Sequence, residues 1–177
     1  MHQYRLYFKL MTTIFLFLAT SVISEEMLTS DGGKIKFYET DCYGSDGSDC
    51  DIIVEKYKDK MLLWKTLIGG NSWDYVEDVL EVDDGYLILG NTGSYGAGNN
   101  DVYLTKLDGS GKEIWFETYG GFFNDYGRTI DTYDYPDGYI IEGEKQHCLT
   151  ENVSNECYME DFFIHVDGNG INLQDNF

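Results

Sequence analysis

From residue 31 onward, apolar and polar positions alternate in short runs, and the runs are broken by Asp-Gly and Gly-Gly pairs. That period-two pattern with frequent turn punctuation predicts half-buried strands joined by tight turns. Asp31-Gly32-Gly33 reads as a turn leading into an alternating strand over Lys34 to Thr40, and DIIVEKY (Asp51 to Tyr57) follows as a second strand. MLLWKTLI (Met61 to Ile68) is a third, ended by Gly69-Gly70. Tyr75 to Val82, taken alone, also fits a helical turn, but Gly-rich and Asp-Gly turns a few residues away on both sides favour a strand. Tyr86 to Asn91 and Asp101 to Leu107 complete the set, the latter closed by Asp108-Gly109-Ser110-Gly111. Asp-Gly and Gly-x-Gly supply the positive φ that tight hairpins need. Residues 25–30 read as a polar lead-in.

The pattern repeats. Trp64, Gly69-Gly70, Asp74, Asp84-Gly85-Tyr86 and Asp101 recur in order as Trp115, Gly120-Gly121, Asp125, Asp137-Gly138-Tyr139 and Asp161. Upstream, DGGKIKFYET matches DDGYLILGNT, and DIIVEKYKD matches DVYLTKLDG, with Asp51 and Asp101 separated by 50 positions. The units so counted are a half unit over 31–59, full units over 60–111 and 112–170, and the start of another over 171–177. The last full unit is longer, through Asp134 to Asp137 and an extended loop over Lys145 to Glu160. Four short strands recurring every ~40–50 residues are the signature of propeller blades. A β-sandwich with chance similarity between hairpins is the alternative. The expectation is an all-β chain of four-stranded antiparallel blades, fewer than three in number, forming an open or partial propeller.

These landmarks resemble a β-propeller repeat of secreted microbial proteins, near the quinoprotein-like and Kelch-like propellers, whose blade reads W…YGG…D…DGGYIIAG…DxxLxKLDxxG. The matching residues run from Trp64 through Lys106, Asp108 and Gly111, and again from Trp115 through Asp167 and Gly170. The likeness covers 31–177. It implies a fold and carries over no cofactor-binding set. Closed propellers have about four to eight blades. Fewer blades imply a piece of a larger ring or an open array that buries its ends, with self-association through open blade edges as one outcome.

Composition agrees with the strands: 42% hydrophobic residues, 15 Tyr, 10 Phe, 20 Gly and a single Pro. The formal charge is −20, from 32 acids and 12 bases, which speaks against nucleic acid and anionic membranes as partners. Residues 1–24 read as a secretory signal peptide, with Arg5 and Lys9 before the apolar stretch LMTTIFLFLA and a Val22/Ser24 cleavage pair. Cleavage there would remove two bases and no acid, taking the charge from −20 to −22. The mature domain is then 25–177, secreted or extracellular (periplasmic if bacterial), with no membrane partner after cleavage; an uncleaved membrane anchor over residues 1–24 is the alternative.

Cys42 and Cys50 flank one loop, and Cys148 and Cys157 flank the loop at the equivalent place in the repeat, so pairings Cys42–Cys50 and Cys148–Cys157 are expected. A zinc site is disfavoured because no C-x2-C pair occurs. Asp46, Asp49 and Asp51 form a candidate Ca2+ loop, with a solvated Asp/Gly loop as the alternative. Asn152 opens an N-glycosylation sequon. Of the three His, His2 falls in the leader, His147 is expected in a loop, and His165 stands where Lys106 stands in the preceding unit. No catalytic set and no cofactor site emerges. The recurring aspartates Asp74, Asp125, Asp101 and Asp161 read as turn and strand caps. Tyr95, Phe122, Phe123 and Tyr126 fall in or near loops and could stack on a sugar or peptide, or pack between blades. Two functions remain: a secreted, non-enzymatic binding or scaffold module with a protein or glycan ligand, and an accessory part of a secreted propeller enzyme, quinoprotein-like or glycan-degrading.

Overall fold

A computed structural model of the chain describes residues 24–40, 50–134, 137–148 and 157–174. These carry strands β1 (Glu25–Leu28), β2 (Lys34–Glu39), β3 (Ile52–Lys58), β4 (Met61–Ile68), β5 (Asp74–Val82), β6 (Gly85–Thr92), β7 (Asp101–Asp108), β8 (Glu113–Tyr119), β9 (Asp125–Asp134), β10 (Asp137–Cys148) and β11 (Cys157–Val166). No helix occurs among the described residues. The fold is all-β, as expected. Three antiparallel meanders form: β1-β2-β3-β4, β5-β6-β7-β8 and β9-β10-β11, none closed into a barrel. Each is compatible with a propeller blade.

The sheets and the repeat counted from the Trp landmark are one strand out of phase. Met61 to Ile68 opens the unit 60–111 in sequence, yet in space it pairs with β3 and closes the first sheet. The half unit over 31–59 thereby becomes part of a complete four-stranded sheet. Its remaining strand is β1, because the residues read as a polar lead-in pair with β2 from Glu25↔Phe37 to Leu28↔Lys34. EEML has no apolar alternation to announce it, since this strand borrows its hydrogen bonds from a stronger neighbour. The extension over Lys145 to Glu160 also differs from the loop expected. Much of it is strand, with β10 and β11 paired through to Cys148↔Cys157. His147 therefore lies in β10 rather than in a loop.

The sheets stack face to face on two apolar cores. Ile35, Phe37, Ile52 and Val54 of the first sheet pack against Tyr86, Ile88, Tyr103 and Leu107 of the second. Leu87, Leu89, Val102 and Leu104 on the second sheet's other face pack against Ile141, Phe162, Ile164 and Val166 of the third. Both faces of β6 and β7 are covered, so they read as continuous apolar runs and are buried nearly throughout. A tryptophan fastens each interface from the rim. Trp64 lies over Gly111 and donates Nε1–H to the carbonyl of Gly109 at 3.0 Å. Trp115 lies over Gly170 in the same way. The turn glycines Gly111 and Gly170 have φ of 81° and 80°, and a Cβ at either would overlap the indole.

A lysine joins the same set. Lys56 donates to Asp31 at 2.9 Å and Lys106 to Asp84 at 2.8 Å, each from the third strand of its sheet back to the turn between the first two. His165 takes that position in the third sheet, where it stacks on Tyr133 at 4.2 Å between ring centroids.

Candidate functional site: the loop rim

Connections in an antiparallel meander alternate between its ends, so the stack has two rims. Among the described residues, one carries only short turns. The other gathers the connections β4–β5, β6–β7 and β8–β9, together with the strand ends that bear Cys148 and Cys157.

The β4–β5 and β8–β9 connections, GGNSW (69–73) and GGFFN (120–124), are held alike. The N–H of Gly70 donates to Asp74 Oδ2 at 2.9 Å, and that of Gly121 to Asp125 Oδ2 at 2.7 Å. The first glycine of each pair is flanked by a second carboxylate from the strand before: a Cβ on Gly69 would overlap Asp51 Oδ1, and one on Gly120 would overlap Asp101 Oδ1. Two aspartates thus clasp each Gly-Gly pair, one from each of two successive sheets. Only glycine leaves room for a carboxylate against its Cα. Backbone hydrogen bonds tie the same junctions, Asp74 N–H to the Cys50 carbonyl at 2.7 Å and Asp125 N–H to the Asn100 carbonyl at 2.8 Å.

The aspartates are buried despite their charge: Asp74 is 2% exposed, Asp101 0% and Asp125 5%. Burial pushes the Asp125 carboxyl above the usual carboxylate range and the nearby Asp101 adds to the push, while the hydrogen bond from Gly121 opposes it. Asp101 Oδ2 accepts the N–H of Gly98 at 3.0 Å, and among the described residues no hydrogen bond reaches its Oδ1. The capping role expected of Asp74, Asp101 and Asp125 is what the structure shows. Asp161 differs: it is exposed on β11.

The β6–β7 loop, residues 93–100, lies against this clasp. Ser94 Oγ donates to Asp74 Oδ2 at 2.7 Å and accepts the N–H of Ser72 at 2.9 Å. Tyr95 OH donates to the Gly69 carbonyl at 2.9 Å, and its ring packs on Tyr103 and Phe116 at 5.9 and 5.2 Å. Aromatic side chains reach solvent from these braced loops: Trp73 is 37% exposed, Tyr95 38% and Phe122 64%, with Phe123 edge-on to Phe122 at 5.3 Å. Tyr126 lies in β9 and is half-buried, apart from the loop aromatics.

The Cys148–Cys157 disulfide is present and joins a directly paired position at the end of the β10–β11 hairpin, with Cα atoms 4.1 Å apart. A disulfide is compatible with an oxidising compartment. Cys50 is disulfide-bonded as well, and Cys42 lies outside the described residues. So do Asn152 and the calcium candidates Asp46 and Asp49. The third calcium candidate, Asp51, occupies the clasp position beside Gly69. Among the described residues no group of three or more His, Cys, Asp or Glu side chains is placed to hold a metal ion. His147 stacks on Tyr158 with centroids 5.4 Å apart, and its Nε2 lies 2.8 Å from Glu160 Oε2 without the alignment of a hydrogen bond.

A cluster of lysines leaves only a faint trace in the sequence. Ten basic residues fall after residue 24, and six of them, Lys34, Lys36, Lys56, Lys58, Lys60 and Lys65, fall within or beside the first sheet. The visible signal was the alternation KIK, which places Lys34 and Lys36 on one face. No protein-family model and no curated protein matches the chain.

Proposed function

We propose that this is a secreted, non-enzymatic binding or scaffold module of β-propeller type, which presents its loop rim to a protein or glycan ligand. One observation carries the reading: Trp73, Tyr95 and Phe122 are solvent-accessible on loops that paired carboxylates and backbone hydrogen bonds hold rigid. Aromatic groups supply contact area at low entropic cost, and prior bracing of their loops reduces the ordering cost of binding. Secretion rests on the amino-terminal segment, with the disulfide in support.

The test is an array of glycans and extended peptides probed with the protein and with its Trp73→Ala and Phe122→Ala variants. Saturable binding to at least one ligand class, weakened five-fold or more in either variant, is expected. Binding indifferent to both substitutions would overturn the assignment to this rim. Turnover in a screen of glycosidase and dye-linked dehydrogenase substrates would overturn the non-enzymatic reading.

A further inference from the structure

The stack ends in two faces that no other described element covers, and the repeat allows them to be compared with the two interfaces inside it. At each internal interface a sheet offers apolar residues forward, Phe37 and Val54 in one case and Leu89 and Leu104 in the other. The following sheet meets them with an isoleucine three positions after its turn glycine, Ile88 after Gly85 and Ile141 after Gly138. On the outward face of the first sheet that position is Lys36, three after Gly33, with Lys34 beside it. On the outward face of the last sheet, the place of Phe37 and Leu89 is taken by Glu142, whose cross-strand neighbour is Phe163.

The substitutions are complementary in sign. By strand register the first face carries Lys34, Lys36 and Lys65 against Glu26 and Glu55, a balance of +1 in a chain of net charge −20. The last face carries Asp131, Glu142, Glu144 and Asp161 against Arg128, a balance of −3. Apolar groups are exposed on both: Leu63 at 49% and Leu67 at 60% on the first, Phe163 at 53% on the last. Opposite charge around an apolar centre fits docking of one such face on the other.

We propose that the partner is a second copy of this chain, the last sheet of each copy docking on the first sheet of the other. The three sheets formed by the described residues, taken twice, make six, within the range of about four to eight at which propellers close. The contact is heterologous, and a heterologous contact that closes gives a ring with no open face. This association is independent of what the loop rim binds.

The test is light scattering and sedimentation on the full chain recovered from a secretory host, with strand content checked by circular dichroism. A single two-chain species is expected. Lys36→Glu alone and Glu142→Lys alone should each give a monomer with unchanged strand content. Mixing the two variants should restore a two-chain species, because one interface is then native and the other has its charges exchanged. Phe163→Ser should also give a monomer, which keeps the test decisive if one charge variant misfolds. A monomeric parent chain, a ladder of larger species, or dissociation by Lys36→Glu but by neither Glu142→Lys nor Phe163→Ser would each overturn the closed pair.

Discussion

The Asp101 carboxylate rests against the Cα of Gly120, in the space a Cβ would fill, and Asp51 stands to Gly69 in the same way one sheet earlier. The contact joins the third strand of a sheet to the linker entering the next, so it fixes how successive sheets follow one another. Adding a methyl there must displace a buried carboxylate. Gly120→Ala is expected to lower stability by about 1–3 kcal/mol, the usual cost of overpacking. Gly121→Ala, whose Cβ would meet nothing nearer than 4.0 Å, should cost much less. Urea denaturation of the two variants checks the contrast, and equal losses would count against the clasp.

Asp125 offers a test in pH. Its carboxyl lies above the usual carboxylate range because burial outweighs the opposing hydrogen bond from Gly121, with Asp101 adding to the rise. A carboxyl raised on folding binds its proton more tightly in the native state. Its penalty is therefore greatest near neutral pH and is relieved as pH falls through its folded value toward 3.8. Glu77 and Asp78 on β5 act in the same direction, burial again leading. Glu26 opposes them: hydrogen bonds from Lys36 and Lys34 lower it, so its contribution is lost as pH falls below 4.5. Asp125→Asn should gain stability relative to the parent at pH 7, and the gain should shrink as the parent's Asp125 becomes protonated. Denaturation curves at neutral and mildly acid pH decide it, and a pH-independent difference would refute the assignment.

The Cys148–Cys157 bridge closes a loop with a sequence separation of 9. On the loop-entropy account its removal costs roughly 2–3 kcal/mol. The double Cys→Ser variant should show that loss in urea, with strand content preserved, because the two apolar cores lie elsewhere in the stack. Peptide mapping without reduction would show Cys148 joined to Cys157, and any other partner for either would contradict the structure.

Trp64 spans two sheets from the outer strand of the first, so its loss should loosen their contact without unfolding either. Replacing a fully buried tryptophan with alanine costs about 3–5 kcal/mol. Trp64 is half-buried, so Trp64→Ala is expected to cost about 2 kcal/mol. Hydrogen exchange should accelerate at Gly109 to Gly111, on the far side of the contact. Acceleration confined to β4 would argue against a role between sheets.

Much of this is legible in the sequence itself. KIKFYET and DVYLTKL show their strands by alternation, and Gly85, Gly111 and Gly170 mark turns that need their φ values of 154°, 81° and 80°. The recurring aspartates and the Cys148–Cys157 pairing were legible from position in the repeat. The strand over Glu25 to Leu28 was not, because it has no pattern of its own and exists through pairing with β2. Nor was the sheet to which Met61–Ile68 belongs. A repeat can be cut at any landmark, and only the hydrogen bonds to β3 show that this strand closes one sheet instead of opening the next.

The sequence by itself determined the all-β class, the strand-and-turn period and the identity of the repeated residues, because each follows from local sterics and the alternation of side chains along a strand. The tertiary structure alone decided how strands group into sheets and which carboxylates clasp which glycines. It also decided that a lysine face and an acidic face stand at opposite ends of one stack. Those relationships join residues far apart in the chain. Asp101 says nothing in its own neighbourhood about Gly120 until β7 and the β8–β9 linker are brought together.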